Sequence, residues 1–138
     1  MGYTYYSYLA FITPDSAADL AGLQACLQAL SAQLNQAPKP TLTLDGNELT
    51  VAFEEYSFHI YYATEAHVQE EALEIAATNP DTLVDLAEQP IDPARLGTCT
   101  RRFELWGDPD PDMDYFNDSL YILEALEELE GVIIPQLD

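Results

Sequence analysis

Apolar residues recur along this chain with two periods, and the switches between them mark the elements. Residues Gly2 to Ile12 are rich in Tyr, Phe and Ile, which predicts a strand. Leu20, Leu23, Leu27, Leu30 and Leu34 then fall at alternating spacings of three and four, one stripe of a long helix. The stripe is too short to favour a heptad seam. "APKP" at Ala37–Pro40 ends it. Thr41–Leu44 and Glu48–Phe53 alternate around Asp45-Gly46, the signal of a hairpin, and Tyr56–Ala63 reads as a third strand.

The second half is expected to be helical and then mixed. Thr64 can cap a helix running to about Thr78. A short helix is expected over Pro80–Gln89, with a further turn at Pro93–Leu96 stopped by Gly97. Thr98–Trp106 reads as a strand, Met113–Glu130 as a helix stopped by Gly131, and Val132–Ile134 as a last strand. The order β-α-β-β-β-α-α-β-α-β predicts one α+β domain over residues 1–138. Its expected form is a two-layer sandwich, with a mixed sheet and helices packed on one face. Thr98 to Ile134 reads as a βαβ unit, with parallel strands and a right-handed crossover.

Alternation sorts each strand into two faces. Leu9 and Phe11 are assigned to the aliphatic side with Leu42, Leu44, Leu49, Val51, Phe53, Phe58, Ile60, Phe103 and Leu105. Arg101 falls on that side too, and is expected to pair with a carboxylate. The other side collects Tyr6, Tyr8, His59, Tyr61, Arg102, Glu104 and Trp106. Aromatics with polar tips, beside an arginine, are the residues from which interface hot spots are built. Two plainer assignments compete: a solvated face with tyrosines lying over threonine methyls, or a face covered by another helix.

Charge changes the picture more than any motif. The chain has 25 acids against Lys39, Arg95, Arg101 and Arg102, a formal charge of −21. Nucleic-acid binding needs cations to replace phosphate counterions, so it is not expected, and neither is an anionic membrane surface. No apolar run approaches the roughly 20 residues of a membrane span. The N-terminus lacks the pattern of a signal peptide, and Tyr6 stands where myristoylation needs Ser or Thr. Cys26 and Cys99 are expected to be free thiols, in keeping with a cytoplasmic protein. The acidity can serve solubility, adaptation to high salt, or steering of a basic partner, for which Glu54 and Glu55 are candidate steering acids.

The stretch "WGDPDPDMDYFND", Trp106–Asp118, could be a cation site or a helix start. Neither register of an EF-hand loop fits: counted from Asp108, positions 6 and 12 are Met113 and Ser119. Capping residue followed by proline recurs at Thr13-Pro14, Asn79-Pro80, Asp92-Pro93 and Asp110-Pro111, so Asp110 is expected to be a helix N-cap. His59 and His67 lack the spacing of a zinc site, and no nucleophile elbow or phosphate loop is present. The expected function is a small, acidic, non-catalytic protein that binds a basic protein, such as an immunity or inhibitor protein, and no cofactor is expected. An enzyme or metal protein using His59 or the Asp108–Asp114 cluster remains an alternative. So does a self-associating structural subunit or a salt-adapted protein.

Overall fold

The structure is a computed structural model that describes residues 6–34, 39–78 and 80–136. Its elements are β1 (Ser7–Ile12), α1 (Leu20–Leu34), β2 (Thr41–Asp45), β3 (Glu48–Ala52), β4 (Ser57–Ala63), α2 (Ala66–Thr78), α3 (Pro93–Leu96), β5 (Arg101–Gly107), α4 (Phe116–Glu128) and β6 (Val132–Ile133). The α+β class and the order of elements are those expected. The strands form one sheet in the order β2-β3-β4-β5-β1-β6, and every neighbouring pair is antiparallel. The expected parallel relation survives only as direction. β5 and β6 run the same way, but β1 lies between them and pairs with both.

The β2–β3 hairpin turns at Gly46-Asn47, since Asp45 pairs with Glu48. Gly46 has φ +60°, which the first position of a type II′ turn requires. Leu20, Leu23, Leu27 and Leu30 of α1 are buried with Ile122, Leu123, Ala125 and Leu126 of α4. Both stripes lie over Leu49, Val51, Phe58, Ile60, Phe103 and Leu105, so this face of the sheet carries the main core. The side chain of Leu34, the first strand residues 2–5, and Ala37, Pro38 and Asn79 lie outside the described residues.

A second core forms on the opposite face, which corrects the expectation of helices on one face only. Phe11 and Ala63 of the sheet are buried there with Val68, Ala72 and Ala76 of α2, Leu96 of α3, and Cys99. This core inverts the expected phase of β1. Phe11 faces α2, while Tyr6, Ala10 and Ile12 join the main core and Tyr8 packs against it. A strand buried on both faces loses the polar alternation that reports its phase. Cys26 and Cys99 are free thiols, and burial pushes the Cys99 thiol up to about 11.

Four local expectations are corrected. Residues 80–89 form no helix; Val84 bridges Pro90 and Asp85 bridges Pro135. The Asp85 carboxylate accepts from the N–H groups of Ala87 and Gln89, and Glu88 adopts φ 64°. Such local bonds compete with helix. Of the proline starts, Asp92-Pro93 caps as expected, with Asp92 accepting from Ala94 N–H. Helix α1 begins later than Thr13, and Asp19 accepts from Gly22 N–H. Thr64 makes its backbone N–H bond to Glu65 instead, just ahead of α2.

Asp110 is the fourth correction. Helix α4 starts at Phe116 after Tyr115, which makes no side-chain cap. Asp110 instead lies buried in the preceding loop, only 4% exposed. It accepts from Tyr6 Oη at 2.6 Å, Tyr115 N–H at 2.8 Å and Asp114 N–H at 3.1 Å. The acid that reads as a cap is therefore a pin between the loop and β1.

Candidate functional site

The part of the second face that α2 leaves uncovered is built by register. Antiparallel pairing sets His59 opposite Trp106, Tyr61 opposite Glu104, Thr50 opposite His59, and Glu48 opposite Tyr61. Residues paired across antiparallel strands share a face. Four of the expected site residues therefore do come together here, His59, Tyr61, Glu104 and Trp106, with Arg102 on the same face but covered by α2. Tyr6 and Tyr8 do not, because they lie on the other side of the sheet. Glu54 and Glu55 are exposed in the β3–β4 turn, with Glu55 close enough to Tyr115 to raise its phenol, after burial.

Trp106 is 39% exposed and stacks on the His59 ring, with centroids 5.3 Å apart and planes 20° apart. His59 Nδ1 lies 3.2 Å from Glu48 Oε2, and Nε2 lies 3.9 Å from Asp108 Oδ1. The imidazole is thus bracketed by two carboxylates and roofed by an indole. An indole face attracts cations through its quadrupole, and the carboxylates add to that field.

Arg102 anchors the adjoining half. It is 4% exposed, and its guanidinium meets Glu104 Oε2 at 2.6 Å and Glu71 Oε1 at 2.7 Å. Its Cζ lies 5.5 Å above the Phe11 ring. The arginine is consequently consumed in tying β5 to α2, and it is not free for a partner. His67 Nε2 lies 3.8 Å from Glu104 Oε2, and Tyr61 Oη donates to Glu65 at 3.3 Å. Glu65 raises the Tyr61 phenol above its ordinary value, with burial adding to the effect. Arg101, on the opposite face, donates to the carbonyls of Thr13 and Ser16 and to Tyr62 Oη, instead of the expected carboxylate.

Asp108 of the acidic run and Glu71 of α2 belong to this patch, as does Glu48, which was not singled out from sequence. The hairpin register carries the signal for Glu48: a turn at Gly46-Asn47 sets it beside the His59 and Tyr61 positions. The Asp108–Asp114 run does not converge, since Asp110 turns inward onto protein donors. Among the described residues no three His, Cys, Asp or Glu side chains gather as a ligand set, and no helix is long and apolar enough to cross a membrane. Comparison with known protein families, curated proteins and solved structures finds no match.

Proposed function

We propose that this chain is a non-catalytic acidic protein that binds a basic protein partner through the open half of its second sheet face. One observation carries the reading: a half-exposed Trp106, stacked on His59, stands among Glu48, Asp108 and Glu104 on a chain of charge −21. An exposed aromatic anchor with an acidic surround fits a lysine- or arginine-rich surface. The long-range field raises the rate of encounter, while the anchor sets the lifetime of the complex. Neutralising a basic toxin or nuclease, as an immunity or inhibitor protein does, is the role that suits this chemistry.

Binding kinetics against the partner co-purified from the native host test the reading. Trp106→Ala and Tyr61→Ala are expected to weaken binding by about 2 kcal/mol or more, mostly through faster dissociation. Glu54→Gln and Glu55→Gln are expected to slow association, a difference that added salt erases. Unchanged binding by folded Trp106→Ala would remove this face from the interface.

A further inference from the structure

Helix α4 carries more apolar surface than its core contact uses. Ser119, Ile122, Ala125 and Leu126 are its deeply buried positions. Phe116 and Leu120, one turn apart and beside that stripe, remain 39% and 47% exposed. With Leu123, Tyr8 of β1 and Leu86 of the 80–89 loop they line a groove of about 350 Å³. Glu124 and Glu127 form its rim. Leu86 and Glu127 are shared with an adjoining hollow of about 120 Å³, which Asp85 also lines.

The charge around this groove is of one sign. From Phe103 to the last residue the chain has eleven acids and no Lys or Arg. Burial, then Asp85 and Glu124, hold the Glu127 carboxyl above its ordinary range. The surface thus leaves apolar side chains in water and crowds carboxylates beside them. A second copy of this chain would cover the first but bring −21 against −21. A neutral apolar ligand would leave the carboxylates crowded. An amphipathic cationic helix relieves both, since its apolar side fills the groove and its lysines reach the rim.

We propose that the groove lined by Tyr8, Leu86, Phe116, Leu120 and Leu123 docks an amphipathic cationic helix of a protein partner, with its basic residues set against Asp85, Glu124 and Glu127. The inference rests on the reading of a basic partner, but it uses a separate surface: α4 and Trp106 lie on opposite faces of the sheet.

The probe is a fluorescent leucine–lysine amphipathic peptide of about five helical turns, compared with an isomer of the same composition in scrambled order. Anisotropy is read in buffer of about 0.15 M ionic strength. The amphipathic peptide is expected to bind at least about tenfold tighter than its isomer, and Leu120→Ser to remove most of that advantage. Glu124→Gln with Glu127→Gln is expected to weaken binding and flatten its salt dependence. Leu120 is half exposed, so its variant should keep the parent melting curve; shifts of the α4 amide resonances in the unmodified protein locate the peptide independently of any variant. Equal binding of the two peptides would reduce the attraction to charge alone and overturn the groove. Loss of binding in Trp106→Ala, with Leu120→Ser unaffected, would also overturn it while leaving the sheet-face reading intact. A dimer of the parent protein that Leu120→Ser dissociates would make the occupant a second copy and overturn it as well.

Discussion

Asp110 ties together more of the structure than its place in an acidic run suggests. Its carboxylate collects one phenol and two backbone N–H groups inside the protein. Removing it would leave the buried Tyr6 hydroxyl without its acceptor and two N–H donors unanswered. Asp110→Ala is expected to cost roughly 2–4 kcal/mol, above the usual cost of a lost helix cap. Chemical denaturation measures this, and a double-mutant cycle with Tyr6→Phe should return a clear coupling energy. Millimolar calcium should leave the parent melting temperature unchanged, because the oxygens are already occupied; a rise of about ten degrees, worth more than 2 kcal/mol in a domain this size, would overturn the assignment. The same neighbourhood sets an alkaline limit. Burial first, then Asp110, raise the phenols of Tyr6 and Tyr56 well above the ordinary 10.0. A raised folded value means that the unfolded chain loses these protons first. Their contribution is complete below about pH 10 and falls away as pH rises further. Denaturant midpoints should drop above that pH, and Tyr6→Phe should soften the fall.

At the scale of elements, what was legible and what was not divides along one physical line. The leucine stripe of α1, strand β3 and α4 each bury one side and leave the other more open, so their periods report them. β1 is buried on both sides, and its phase could not be read from Leu9 and Phe11 alone. The 80–89 segment "PDTLVDLAEQ" has helix-like composition, yet Asp85 diverts the backbone with its own side chain. At the candidate site His59, Tyr61, Glu104 and Trp106 were legible because pairing across strands preserves face. The covering of Arg102 by α2 was not, since it depends on where a helix distant in sequence lands. That contact makes a prediction about how α2 is held. Arg102→Ala would leave Glu71 and Glu104 together over the Phe11 ring with no cation between them. Its cost is expected at about 3–5 kcal/mol, and Arg102→Lys should recover only part of it, because the two carboxylates meet different edges of one guanidinium. Glu71→Gln, at a half-exposed partner, should cost much less. Hydrogen exchange should show the loss concentrated in α2, and uniform loss over the sheet would contradict this account of the contact.

Over the whole molecule, unpaired negative charge governs the electrostatics. Among the described residues, ion pairs between carboxylates and Lys or Arg all belong to Arg102. Arg101 spends its guanidinium on carbonyls and a phenol, and Lys39 reaches Ser31 O at 2.6 Å. The cations therefore do little to offset 25 acids, and self-repulsion acts across a small domain. Against it stand two apolar cores whose largest side chains, Phe11, Phe58 and Phe103 among them, are fully buried. That burial should keep the protein folded without added salt. Screening then adds stability, because the Debye length falls from about 30 Å at 0.01 M to about 8 Å at 0.15 M, shorter than most separations across the surface. The melting temperature is expected to rise by a few degrees over that range, worth about 1 kcal/mol in a domain of this size, and to level off beyond it. The same screening should lower the association rate with a basic partner and leave dissociation nearly unchanged. Scanning calorimetry across ionic strength, paired with binding kinetics in the same buffers, separates the two consequences of one field. If the chain folds only in molar salt, the acidity is an adaptation to brine, and the charge no longer argues for a cationic partner.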